Sequence, residues 1–192
     1  MPRIIAGELG GRTIPGPPGR GTRPTSDRVR EALFSRLEGW DALRGARVLD
    51  LFAGTGALAF EALSRGADSA LLVEMHGPTA RQLQRTTGQL DLSARCTVRT
   101  GRAEQVAAQL AGAGEDANVG FTLVMLDPPY DVATEVLEQL LVSLRPALAD
   151  DALVVIERSS RSRPLDWPEG WADDGTKSYG ETALQYGGPA TD

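Results

Sequence analysis

Arg47-Val48-Leu49-Asp50-Leu51-Phe52-Ala53-Gly54-Thr55-Gly56-Ala57-Leu58 is the stretch whose reading decides the fold. Arg47–Leu51 predicts a buried strand, and Ala57–Arg65 a helix closed by Gly66. The glycines between them allow a sharp turn and a close approach of backbone to a ligand. The helix start then aims amide groups at something electronegative. The same rhythm continues downstream. Ser69–Glu74 reads as a second strand, Pro78 opens a helix, Cys96–Thr100 is a third strand and Ala103–Leu110 a helix. Phe121–Leu126 is a fourth strand ending at Asp127, followed by helix Val132–Leu144 and strand Ala152–Glu157. This alternation predicts an α/β protein with an open, mostly parallel sheet covered on both faces. Thr176–Tyr179 and Ala183–Tyr186 flank Gly180-Glu181 and predict a closing antiparallel hairpin, with Gly187–Asp192 expected to fray.

Upstream, residues 2–14 hold two short apolar stretches around a glycine turn, which reads as a small hairpin. Pro15–Pro24 is a Pro/Gly loop, the clearest internal boundary, expected to be mobile without a partner. A helix then begins, capped by Thr25, Ser26 or Asp27, with Val29, Ala32, Leu33 and Leu37 as its apolar face and Arg28, Arg30 and Glu31 off it. The expected units are a basic hairpin and loop (1–24), a main domain (25–188) and a disordered tail (189–192).

The 192 residues suit one domain with a small appendage. A single cysteine, Cys96, excludes an internal disulfide and a cysteine metal cluster, and a single histidine, His76, argues against a histidine metal site. No metal is expected. No apolar h-region follows Met1-Pro2-Arg3 and no run is long enough to span a membrane, so the expectation is a soluble cytoplasmic protein. The net charge of −6 hides an asymmetry. Residues 1–36 hold seven arginines against Glu8, Asp27 and Glu31, a net of +4 that leaves −10 on the remainder. A basic start on an acidic body suggests an anionic partner, though these arginines could also pair with that body.

Two motifs carry chemistry. In the first, Glu74 closes strand two, eighteen residues beyond Gly56, where an acid can accept hydrogen bonds from ribose hydroxyls. Gly54-x-Gly56-x-x-Ala59 also fits a dinucleotide fingerprint, so the turn alone does not separate a nicotinamide enzyme from one using S-adenosylmethionine. Asp50 favours the second, because an acid there repels a pyrophosphate and suits the ammonium of a methionine moiety. In the second motif, Asp127-Pro128-Pro129-Tyr130 ends strand four, and neither proline can extend a sheet ladder. Asp127 and the Pro128 carbonyl can accept N–H bonds from the exocyclic amine of a base, localising its lone pair, while Tyr130 offers a face for stacking. The plainer reading is a strand-end turn with Asp127 capping the next helix and Tyr130 packed. If strands one and four are neighbours, Asp50, Gly54, Gly56, Glu74 and Asp127 share one crevice. His76 is expected to start a helix, Cys96 to lie in the core, and Trp40, Trp167 and Trp171 to pack or cover surface.

Arg23-Pro24-Thr25-x-Asp27-Arg28-Val29-Arg30-Glu31-Ala32-Leu33-Phe34, the turn Asp50–Leu58, Glu61–Ala67, Val73-Glu74, Asp127–Tyr130 and Tyr179-Gly180-Glu181-Thr182 together resemble the bacterial 16S ribosomal RNA guanine-N2 methyltransferase family D. The resemblance covers essentially the whole chain, and the Arg-Pro-Thr block is its specific part. It implies a class I S-adenosylmethionine-dependent methyltransferase, with a Rossmann-like seven-stranded sheet whose last strand is antiparallel and a small N-terminal β-hairpin extension. It implies transfer of a methyl group from S-adenosylmethionine to N2 of a guanine in 16S rRNA of the 30S subunit or its assembly intermediate. Asp50, Phe52, Ala53, Gly54 and Gly56 would then hold the donor's methionine end, and Glu74 its ribose. Asp127, Pro128 and Tyr130 would form the amine site, and Arg3, Arg12, Arg20, Arg23, Thr25 and Arg28 would meet RNA. Arg102 stands where many relatives place an acid near adenine, leaving backbone groups around Ala103, or Glu104, for that contact. The competing readings are a DNA adenine or cytosine amino-methyltransferase, a non-catalytic RNA-binding assembly factor and, more distantly, a nicotinamide dehydrogenase.

Overall fold

The apolar runs of the sequence become the central strands of one sheet, in a computed structural model that describes residues 1–16, 26–112 and 120–190. The strands are β1 (Arg47–Asp50), β2 (Ser69–Glu74), β3 (Cys96–Thr100), β4 (Phe121–Leu126), β5 (Leu148–Ser159), β6 (Trp171–Tyr179) and β7 (Thr182–Pro189). Their order is β3-β2-β1-β4-β5-β7-β6. The first five pair in parallel, and β7 runs antiparallel between β5 and β6. The seven-stranded sheet with its last strand reversed is therefore as expected. β4 is buried along most of its length, as a strand covered on both faces must be.

Five helices cover the sheet: α1 (Asp27–Gly39), α2 (Ala57–Ser64), α3 (Gly77–Gln89), α4 (Ala103–Gly112) and α5 (Thr134–Leu144). The first three share one apolar cluster that includes Phe34, Phe60 and Leu83, and the last two share another around Val106, Leu137 and Leu141. The two clusters are the two faces of the sheet. Ser26 caps α1 by accepting from the Val29 amide (3.2 Å), and Pro78 stands in the first turn of α3. Among the described residues no helix is long and apolar enough to cross a membrane.

The N-terminal residues form a turn closed by an antiparallel bridge between Arg3 and Thr13. Ile4 and Ile14 are buried in the same cluster as α1, α2 and α3. The fully buried Glu61 carboxylate accepts the Ile5 and Ala6 amides (2.6 and 3.0 Å), and Ser64 Oγ accepts the Leu9 amide (2.9 Å). Residues 1–16 are thus packed into the body, while 17–24 of the expected appendage lie outside the described residues.

Two expectations need correction. Arg30, read as lying off the apolar stripe of α1, is 1% exposed. Its guanidinium donates to the Arg3 carbonyl (2.5 Å) and pairs with Asp27 (2.9 Å), so burial is compensated by bonding. The segment from Gly187 does not fray, because β7 runs to Pro189, which pairs with Trp171, and the Ala190 amide donates to the Gly170 carbonyl (2.8 Å). A Cβ on Gly188 would sit 2.0 Å from the Ala152 carbonyl oxygen, so glycine here serves close packing. Residues 191–192 lie outside the described residues.

Candidate active site

Strand order reverses between β1 and β4, which are hydrogen-bonded neighbours, so the loops leaving their carboxyl ends open a crevice between them. The glycine turn after β1 is pinned on two sides. The Leu51 amide donates to the Met125 carbonyl (3.3 Å) and the Ala53 amide to the Val73 carbonyl (3.0 Å). Gly54 and Gly56 both adopt left-handed backbone, with φ of 52° and 79°. Their surroundings differ. A Cβ on Gly56 would lie 2.5 Å from the Phe60 ring and 2.8 Å from Leu83, so packing excludes a side chain. A Cβ on Gly54 would meet nothing nearer than 3.9 Å, so the space beside it is open. α2 begins at Gly56 with no side-chain cap, leaving first-turn amides available.

Three carboxylates converge on this crevice. Glu74, half-buried at the end of β2, accepts the Gly54 amide (3.0 Å) and the His76 amide (2.7 Å). Asp50 is 1% exposed, and neither of its carboxylate oxygens has a hydrogen-bond partner. Burial, then the charge of Asp127, and less strongly that of Glu74, push its pKa up from 3.8 to about 8. The Phe52 and Ala59 amides pull the other way, but neither is aligned for a hydrogen bond. An orphaned buried acid of this kind is the group a bound cation would satisfy.

The Asp127–Tyr130 turn leaves β4 beside Asp50. Asp127 is half-buried, Pro128 buried, and Tyr130 66% exposed. The Val132 amide closes the turn on the Pro129 carbonyl (3.1 Å). The N-cap of α5 is Ala133, and the Tyr130 ring is exposed rather than packed. The exposed Tyr130 ring removes one support of the simple strand-end reading of this motif. Sequence reasoning missed Arg158. This buried residue of β5 donates to the Val132 carbonyl (2.9 Å) and to Thr134 Oγ1 (3.3 Å), behind the turn. Burial lowers its pKa. A lone arginine ending an apolar strand was the only available signal.

Phe52 is half-buried against the second cluster and Ala53 is buried. The Gly101 amide donates to the Glu74 carbonyl (3.1 Å), which brings the β3 loop to the same edge. There Arg102 is exposed, 3.6 Å from Glu104, and the buried Ala103 opens α4. Arg3, Arg12 and Arg28 are exposed, while Arg20, Arg23 and Thr25 lie outside the described residues. His76 precedes α3, its ring Nδ1 2.8 Å from Thr79 Oγ1. Cys96 is buried, which pushes its thiol up to about 11. Trp40 meets Tyr186 edge-on (5.3 Å), and Trp167 stacks on Trp171 (6.1 Å), so the tryptophans pack as expected. A concavity of about 560 Å³, lined by Trp40, Ala46 and Thr122, opens at the amino ends of β1 and β4, away from the three acids.

A sheet of this order, with a glycine turn after β1 and an acid ending β2, defines the class I methyltransferase fold. A family described as conserved hypothetical protein 95 matches residues 2–187. Ribosomal RNA small subunit methyltransferase D of Escherichia coli is 34% identical over 95% of this chain and 87% of its own, and the Haemophilus influenzae protein of the same name is 34% identical over 88% and 84%. The solved structure of the Escherichia coli protein yhhF superposes with a TM-score of 0.81 at 34% identity, covering 99% of this chain and 98% of that one. The chain belongs to the ribosomal RNA small subunit methyltransferase D family.

Proposed function

We propose that the protein transfers a methyl group from S-adenosylmethionine to the exocyclic N2 amine of a guanine in 16S rRNA, on the 30S subunit or an assembly intermediate. Membership of the methyltransferase D family supports the rRNA substrate, which would also give the protein a cytoplasmic place of work. The observation that carries the chemistry is the juxtaposition, across neighbouring strands, of the unpartnered Asp50 carboxylate and the Asp127–Tyr130 turn.

Bound S-adenosylmethionine supplies an electrophilic methyl group on a sulfonium. Asp50, ionised, would accept the donor's ammonium N–H groups. Glu74 would accept the ribose hydroxyls, and the open side of Gly54 would leave room for the methionine portion. Phe52 and Ala53 form the wall of the same turn, and the backbone at Ala103, with Arg102 beside it, would flank the adenine. On the other side, Tyr130 stacks the guanine, and Asp127 with the Pro128 carbonyl accepts the two N–H bonds of its amine. This concentrates the nitrogen lone pair for in-line attack. Attack by that nitrogen on the methyl would displace the donor's sulfur, which would keep the S–C electron pair, and Asp127 would pass the amine's surplus proton to water. Arg3, Arg12, Arg28 and the Arg20–Thr25 segment contact the RNA backbone.

The test is methyl transfer from labelled donor to 30S subunits and 16S rRNA from a strain lacking the enzyme, with the product digested to nucleosides. N2-methylguanosine is expected. Asp127→Ala should abolish transfer while donor binding, read by calorimetry, persists. Donor binding without transfer to any such RNA would reject the proposal, and a methylated adenine or cytosine would reassign the base.

A further inference from the structure

Helix α3 stands apart electrostatically. Among the five α-helices it is the one with no Asp or Glu, although the whole chain carries a net −6. Arg81 and Arg85 are exposed, and their spacing of four residues puts both on one helix face, about 6 Å apart. Among the described residues neither forms an ion pair, and Arg85 donates to Gln82 Oε1 (2.7 Å). At the helix's carboxyl end, Arg12 of the N-terminal turn donates to the Gln89 carbonyl (2.6 Å), with no carboxylate partner among the described residues. The nearest acid in sequence, Asp91, lies beyond the helix end.

The opposite face of the sheet is built the other way. Its helices α4 and α5 carry Glu104, Glu135 and Glu138 and no arginine. The Arg163 that reaches α5 from a later loop is consumed by Glu135 and Glu138 (3.0 and 2.9 Å). Uncompensated positive charge is thus gathered on the α3 side. α3 starts three residues after Glu74 at the donor crevice and runs about 20 Å to the N-terminal turn.

We infer that the exposed face of α3, with Arg81 and Arg85, and with Arg12 at its end, is a phosphate-binding strip that carries the rRNA backbone from the crevice to the N-terminal turn. The inference rests on the rRNA substrate proposed above. It adds contacts that lie outside the N-terminal arginines, and it identifies the partner as a polyanion whose binding releases counterions.

The test is filter binding of unmethylated 16S rRNA to Arg81→Gln/Arg85→Gln across a salt series. The log–log salt slope should fall in magnitude by about 1.4, the value for two single-strand phosphates, and affinity at low salt should fall at least about tenfold. Arg81→Lys/Arg85→Lys should keep most of the slope. Donor binding and melting temperature should match wild type in all of them. The control Arg145→Gln/Arg163→Gln removes equal charge from the α5 side of the sheet and should leave the slope unchanged. A double glutamine variant with wild-type slope and affinity, while wild type binds and methylates, overturns the strip alone. Wild type that binds no rRNA overturns the strip and the proposed function together.

Discussion

Asp50 sets a pH dependence that can be worked out by sign. Its carboxyl titrates at about 8 in the folded protein against 3.8 ordinarily, because burial and the neighbouring Asp127 and Glu74 disfavour its charge. In the free protein the neutral form is the comfortable one. Stability associated with Asp50 is therefore full at low pH and is lost as pH rises through about 8. A cation bound at the carboxylate reverses the preference. Below pH 8 donor binding must expel a proton, and its affinity should climb toward that pH. An α-amino group on the donor titrates in the same range, so wild type alone would give a bell-shaped profile. Asp50→Asn isolates the residue. It should weaken donor binding, abolish proton release measured by calorimetry in buffers of different ionisation enthalpy, and flatten the fall in melting temperature between about pH 4 and about pH 8. Equal proton release in wild type and Asp50→Asn would show that Asp50 is not the group that titrates.

At the scale of elements, the unit that matters is β4, its turn and the start of α5. Two prolines end the strand legibly, and the sequence located Asp127, Pro128 and Tyr130 without help. What holds their turn was not legible. Arg158 comes from β5, reaches back to Val132 and Thr134, and buries its guanidinium to do so. Pattern reading assigns a charged residue to solvent, so buried charges escape it, as Arg30 and Glu61 also did. Arg158→Met removes a costly buried charge but leaves the Val132 carbonyl unpaired, and these effects oppose each other. Stability should therefore change by no more than about 2 kcal/mol. Because the turn loses its fastening, the single-turnover transfer rate should drop more than about tenfold, equivalent to 1.4 kcal/mol in the barrier, while donor affinity holds. Arg158→Lys, which can reach one acceptor, should recover part of the rate. A Met variant that melts earlier yet transfers at the wild-type rate would make Arg158 a purely structural residue.

Across the whole molecule, the alternation of strand and helix made the mostly parallel sheet and both crevice strands readable, because each parallel strand is a short apolar run between punctuating turns. The N-terminal segment was harder. Its arginines and glycines describe a basic appendage, and only the fold shows Ile4 and Ile14 inside the cluster of α1, α2 and α3, with Ile5 and Ala6 held by Glu61. Short-range patterns cannot register bonds that span more than fifty residues. The two roles, RNA contact and core, separate by experiment. Burying the two isoleucines is worth about 4 kcal/mol, before the bonds to Glu61 and Ser64. At about 2–4 °C per kcal/mol for a chain of this size, deleting residues 1–16 should lower the melting temperature by on the order of 10 °C or more. Donor binding should weaken with it, since α2 carries both the Glu61 anchor and the glycine turn. Arg3→Gln/Arg12→Gln keeps the packing and should melt as wild type does, with only rRNA affinity and its salt slope reduced. A deletion that leaves melting and donor binding untouched would mean that the segment is an RNA-binding arm resting on the body, and that its two isoleucines contribute little to the core they enter.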